Sequence, residues 1–140
     1  VSYTELERLT IAAEAIARCA HSRQARTDGR PYITHPEAVA AAVEPRLKPI
    51  AWLHDVMEDS HIDLLALADA DFPDYVLNAL DALTRPEYMD YQHYIENFVV
   101  GKPDAVAVKI ADIRHNLSDA PTDRQVKKYS QALLALEREI

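Results

Sequence analysis

Cysteine is almost missing from this chain: Cys19 stands alone among 140 residues, so no internal disulfide can form and a bridged scaffold is excluded. Glycine is nearly as scarce, with only two residues, while alanine and leucine are abundant, which argues for a helical protein. No stretch approaches the roughly 20 apolar residues that span a bilayer, and the N-terminus lacks a basic run followed by an apolar segment. No membrane association is expected, and a lone cysteine suits a reducing compartment, so the location expected is cytoplasmic. Basic residues are outnumbered: 15 Lys and Arg face 23 Asp and Glu, a formal net charge of -8. A nucleic acid polymer is an unsuitable partner for such a chain, because binding it needs a basic footprint that releases counterions.

What is present is a hydrophobic content of 49%, enough for one core, and residues 1–140 read as a single domain. The charge deficit is uneven. Arg18, Arg23, Arg26 and Arg30 meet only Asp28 within one short segment, a locally positive loop suited to a small anionic ligand.

Residues 2–20 carry apolar side chains at three- and four-residue spacing behind Ser2 and Glu5, the pattern of a capped amphipathic helix, in which Cys19 is expected to be a small buried hydrophobe. Residues 21–34 have no period and should be a loop. A short helix follows from about His35 to Val43, Pro45 breaks it, and another enters near Pro49 and runs to about Asp59. Ser60 with Asp63 resembles a further cap, Asp71 and Pro73 open a helix to Leu83, and residues 90–100 are helical again. Gly101 and Pro103 mark a stop and restart before "DAVAVKIADIRHN", and Thr122 with Gln125 caps the last helix. The result is an all-α bundle of about seven or eight short helices.

The stretch "LHDVMEDS" carries the chemistry. Taking the segment as one continuous helix with His54 at zero, Glu58 lies about 40° away, Asp55 about 100° and Asp59 about 140°. Ile50, Trp52, Leu53, Val56 and Met57 occupy the opposite arc, and Ala51 leaves space on the polar side. Imidazole and carboxylate together suit a divalent first-row ion, so His54 and Asp55 offer two ligands. His35, before Pro36, is a second candidate histidine. Asp112 sits among Val108, Ile110, Ala111 and Ile113, where an ionised carboxylate is costly unless paired or bound to a cation. Asn116 lies one turn further and could orient water, phosphate or sugar. Glu58, one turn from a ligand, is the first choice for a proton acceptor and Asp59 the second, while Arg23 or Arg26 could neutralise phosphate.

"RTDGRPYITHPEAVA", "AWLHDVMEDS" and "VKIADIRHNL", in this order, resemble the signature segments of the HD-domain hydrolases of the RelA/SpoT homologue family, in particular its small alarmone hydrolases. "YQHYIENF" and "KKYSQALLAL" extend the likeness over nearly the whole chain. The resemblance implies an HD helical fold that binds Mn²⁺ through His35, His54, Asp55 and Asp112, with Glu58 and Asp59 positioning and activating water. It also implies hydrolysis of the 3′-pyrophosphate of guanosine tetra- or pentaphosphate, and nucleotide contacts from Arg26, Asn116 and Tyr129. The chain departs from the family in having Thr27 where a lysine is common, and "DIRHN" where many members read "DRLHN". Two alternatives stay open: an HD phosphohydrolase for another nucleotide, such as an adenosine alarmone or a nucleoside phosphate, and an inactive alarmone sensor. A binuclear site would draw on His61 and His93. Lys127 and Lys128 read as solvated, and Tyr91 with Tyr94 as core or pocket lining.

Overall fold

Ser2 Oγ accepts a hydrogen bond from Glu5 N–H at 3.1 Å, and this cap opens α1 (Tyr3–Ala20) in a computed structural model that describes residues 1–140. Ala13 and Ala17 are fully buried, and their small side chains let α1 lie close against α3 (Lys48–Leu53). Cys19 is exposed rather than buried, because it points about 200° around the helix from Ala17.

α3 is the centre of the bundle. Every residue from Pro49 to Leu53 is buried, and the helix packs against α1, α2 (Thr34–Ala41) and α6 (Asp74–Leu83). Truncating Leu53, fully enclosed, to alanine would cost about 2–5 kcal/mol. The remaining elements are α4 (Val56–Asp59), α5 (Leu64–Asp69), α7 (Tyr91–Tyr94), α8 (Pro103–Ser118) and α9 (Asp123–Glu137). A 3₁₀ turn over Pro45–Leu47 precedes α3, and α7 runs on as a π-helical turn over Ile95–Val99. The only extended pairing is an isolated bridge between Ala25 and Pro31, so the architecture is the all-α bundle expected. No helix is long and apolar enough to cross a membrane.

Two local expectations differ from the structure. Asp63, not Ser60, caps α5, accepting from Ala66 N–H at 2.9 Å; Ser60 Oγ instead donates to Val56 O at 2.7 Å. The helix expected over 49–59 is also two helices, interrupted at His54 and Asp55. Ala51 O, which an unbroken helix would offer to Asp55 N–H, accepts His54 Nδ1–H at 2.6 Å. Asp55 then adopts φ -108°, ψ -3°, away from regular helix geometry.

α8 crosses behind α2 and α6, burying Val108, Ile110, Ala111 and Ile113 together with Asp112. α9 starts with a complete capping box, Thr122 Oγ1 accepting from Gln125 N–H and Gln125 Oε1 from Thr122 N–H. It packs over α8 and the π-helical turn, which brings its first turns beside the site.

Candidate metal centre

The break after α3 turns His54 and Asp55 toward the same point, which a continuous helix would not do. His54 Nε2 lies 3.0 Å from Asp55 Oδ2 and 3.6 Å from Asp112 Oδ1. His35, at the start of α2, puts Nε2 2.8 Å from Asp112 Oδ1 and 3.8 Å from Asp55 Oδ2. One donor atom each from His35, His54 and Asp55 fits within a sphere where all lie within 4.8 Å of one another, and Asp112 adjoins it from α8. The four expected ligands, 77 residues apart at their extremes, therefore converge.

The electrostatics favour a cation there. Burial opposes charge on His54, yet Asp55 and Asp112 facing its ring outweigh burial and hold its pKa well above the ordinary value. Burial likewise works against the Asp112 carboxylate, but Lys109 and His54 overcome it and keep that acid well below the usual carboxylate range.

Whether these residues suit a metal is tested by one buried atom. His54 donates Nδ1–H to Ala51 O, so Nε2 is the nitrogen that a metal would take in place of its proton; that Nε2 is buried and, although 3.0 Å from Asp55 Oδ2, makes no hydrogen bond of acceptable geometry. An orphaned buried nitrogen facing two carboxylates and a second imidazole fits a divalent ion with mixed nitrogen and oxygen ligands.

Several supporting contacts were not anticipated from the sequence. Tyr32 donates its hydroxyl hydrogen to Asp55 Oδ2 at 2.5 Å, and burial, then the Asp55 charge, raises the phenol pKa. Lys109 Nζ donates to Asp112 Oδ2 at 2.9 Å; its (i, i+3) spacing on α8 was the available signal. His115 Nδ1 sits 2.7 Å from His35 Nδ1. Asn116 Nδ2 donates to Asp112 Oδ1 at 3.2 Å, as its one-turn spacing allows.

A cavity of about 350 Å³, the size of a small-molecule site, opens beside this centre. Its walls include Arg26, Glu58, Lys109, Asn116, Tyr91 and Tyr129. Glu58 stands at the rim, accepting Arg85 N–H at 3.2 Å, and burial followed by the Asp55 charge raises its pKa. Asp59 lies outside the lining and reaches it only through Gln24, whose Nε2 donates to Asp59 Oδ2 at 3.2 Å. Ala51 is buried in the core and does not line this cavity, so it does not provide the clearance expected of it there.

The loop over 21–34 is pinned rather than free. Arg26 N–H donates to Arg30 O, Tyr32 N–H to Gln24 O, and Gly29 takes φ +89° at the turn between them. This turn presents Arg26 to the cavity and leaves Arg23 exposed, away from it. The positive charge expected of the loop is also largely offset: Arg18 pairs with Glu14 and Glu37, while Arg26 and Arg30 share Asp119. His61 and His93 are exposed and neither joins the four ligands, so nothing assembles a binuclear centre from them. Lys127 is exposed as expected, but Lys128 is half-buried against the Tyr91 ring at 4.3 Å, and Tyr91 and Tyr94 both line the cavity.

No family model matches the chain. Among curated proteins, a guanosine-3′,5′-bis(diphosphate) 3′-pyrophosphohydrolase of Haemophilus influenzae is 31% identical over 137 residues, covering 87% of this chain and 20% of that protein. The bifunctional (p)ppGpp synthase/hydrolase SpoT of Escherichia coli K12 is 33% identical over 141 residues, covering 89% of this chain and 20% of that protein. A probable GTP pyrophosphokinase of Mycobacterium leprae is 31% identical over 129 residues, covering 81% and 16%. The chain thus spans about a fifth of the length of the curated relatives it matches. A solved structure described as a metazoan ortholog of SpoT that hydrolyzes ppGpp superposes with a TM-score of 0.78, over 94% of this chain and 86% of that one, at 21% identity; this likeness establishes the fold. With the helical fold and the similarity along most of its length in agreement, the chain is related to one segment of the longer SpoT-type proteins and shares the fold of the solved SpoT ortholog.

Proposed function

We propose that this chain is a metal-dependent phosphohydrolase that cleaves the 3′-pyrophosphate from guanosine tetra- or pentaphosphate, giving GDP or GTP and pyrophosphate. The observation that carries the reading is the buried, unpartnered His54 Nε2 facing Asp55, Asp112 and His35 beside a nucleotide-sized cavity. The names of the relatives support the substrate, and the solved neighbour, described as hydrolysing ppGpp, shares the fold.

His35, His54, Asp55 and Asp112 would hold the ion, with Mn²⁺ as the reading from family resemblance. A divalent ion at this position supplies positive charge that acidifies water and offsets charge on a phosphoryl oxygen. Glu58 accepts the proton of the attacking water, and its raised pKa brings it nearer the working range of a general base. Asp59 acts behind it, holding Gln24 on the cavity wall. Arg26, Asn116 and Tyr129 take the nucleotide, Arg26 through phosphate or base and Asn116 through the sugar. A small anionic nucleotide fits this half-open cavity, and the acidic chain is a poor match for a nucleic acid polymer. The lone exposed cysteine accords with a cytoplasmic setting.

The test is product identification from a panel of guanosine and adenosine pyrophosphorylated nucleotides with Mn²⁺ added, together with elemental analysis of the purified protein. Release of pyrophosphate from guanosine tetraphosphate, abolished by Asp55→Ala, is the expected result. Preferential turnover of an adenosine nucleotide would overturn the guanine assignment. Nucleotide binding without turnover, by wild type and variant alike, would make the chain a sensor.

A further inference from the structure

His21 is the one buried histidine outside the metal centre. It closes α1, and its ring is fully enclosed. Its Nδ1 lies 2.8 Å from Gln24 Oε1, while Gln24 Nε2 donates to Asp59 Oδ2 at 3.2 Å. An amide oxygen only accepts, so His21 Nδ1 must carry the hydrogen. In the neutral ring Nε2 is left with a lone pair, and that atom is buried with no hydrogen-bond partner. A buried polar atom without a partner destabilises the fold, and an apolar side chain of the same size would carry no such cost. The contribution of this imidazole therefore lies at Nδ1.

Nδ1 acts on a group that faces the site. Gln24 lines the metal centre's cavity, and its backbone is held at both ends: its N–H donates to His21 O and its carbonyl accepts Tyr32 N–H. Only the orientation of the side-chain amide remains to be fixed. Turned over, it would set its oxygen against the Asp59 carboxylate and its NH₂ against the Nδ1 hydrogen, so the His21 hydrogen selects the orientation in which Nε2 meets Asp59. Bonded once to Asp59, Nε2 keeps its second hydrogen for an oxygen in the cavity. Asp59 Oδ2 stands 4.0 Å from His21 Nδ1, beyond hydrogen-bond reach, so the amide is the link. The His21 ring also packs at 4.8 Å against the Tyr32 ring, whose hydroxyl holds Asp55.

We propose that His21 is a positioning residue: through its Nδ1 hydrogen it locks the Gln24 amide toward Asp59 and the cavity, and so orders the polar wall beside the attacking water. Its effect on turnover rests on the phosphohydrolase reading, which it deepens, whereas the amide geometry is testable without that reading.

His21→Asn and His21→Gln separate the two ring nitrogens, since the Asn amide nitrogen stands near the place of Nδ1 and the Gln one near that of Nε2. With guanosine 3′,5′-bis(diphosphate) and Mn²⁺, His21→Gln should lower kcat about 10–100-fold, the range for lost outer-shell partners, with KM little changed. His21→Asn should keep kcat near the wild-type value, and equal kcat in the two variants overturns the proposal. So does additivity: His21→Gln placed on Gln24→Met should lower kcat little further, and a full second loss means that His21 does not act through Gln24. Heteronuclear NMR of the histidine rings in the metal-free wild type locates the hydrogen, and stands as the test if His21→Gln does not fold. A hydrogen on Nδ1 is expected, and one on Nε2 alone overturns the proposal. If the wild type cleaves no nucleotide, the phosphohydrolase reading fails by itself, and the Gln24 side-chain amide resonances decide. Displaced in His21→Gln and retained in His21→Asn, they support the lock; any other pattern overturns it.

Discussion

His35 Nδ1 and His115 Nδ1 lie 2.7 Å apart with their rings stacked at 5.0 Å, so one of the two nitrogens must carry the shared hydrogen. For His35 Nε2 to present a lone pair to a metal, its Nδ1 must be the donor and His115 the acceptor. His115→Phe should therefore weaken Mn²⁺ affinity by about 10–100-fold, the range for lost outer-shell partners. His115→Asn, which restores an acceptor oxygen, should recover affinity. Calorimetry of Mn²⁺ binding reads both, and equal affinity in the Phe variant would remove His115 from this role.

Lys109 and Asp112 form an ion pair at 2.9 Å whose side chains are only 13% and 7% exposed. Lys109→Met leaves a buried carboxylate without its cation and should destabilise the metal-free protein by about 3 kcal/mol. Lys109→Met/Asp112→Leu removes both charges and should be closer to wild type. Urea unfolding of the four proteins gives the cycle, and additive losses would contradict coupling between the pair.

Glu58 has its pKa raised above the ordinary 4.5 by burial and then by Asp55. An NMR titration of the metal-free protein should find that displacement, and adding Zn²⁺ should reduce it, since a nearby dication favours the carboxylate. As a base Glu58 must be ionised, so activity falls as pH drops through its pKa. Glu58→Gln should lower kcat by about 10²–10⁴. A raised acid pKa means that ionisation costs the fold stability above that pKa, so at neutral pH the Gln variant should be at least as stable as wild type. A variant with lost activity and a lowered unfolding midpoint would point instead to a structural part for Glu58.

Arg26 faces the cavity while Arg23 is exposed away from it. Arg26→Ala should raise KM at least tenfold with a smaller effect on kcat, in line with loss of a charge-assisted hydrogen bond of about 1.5–3 kcal/mol. Arg23→Ala should leave both constants near wild type. Steady-state kinetics on one pyrophosphorylated nucleotide separates them, and a reversed order would mean that the loop reorients around ligand.

Much of the fold is legible in the linear chain because its causes are local. The caps at Ser2 and Thr122, the apolar period of α1 and the stop at Gly101 act within a few residues, and each has its expected effect in the structure. His54, Asp55 and Asp112 are legible as candidates for a related reason: a charged group among core side chains is costly without a partner, whatever the tertiary arrangement. The interrupted helix at His54 was not legible, since periodicity assumes regular geometry while the His54 ring takes a backbone carbonyl from it.

The sequence by itself determined that the chain is helical, acidic, free of disulfides and supplied with two imidazoles and two carboxylates in apolar settings. Only the tertiary structure decided that Tyr32 meets Asp55, that His115 backs His35 and that Lys128 turns toward a cavity instead of water. Helical propensity and capping are interactions between near neighbours, whereas these partnerships join residues 23 and 80 positions apart, and one-dimensional order carries no distance between them until the core has packed.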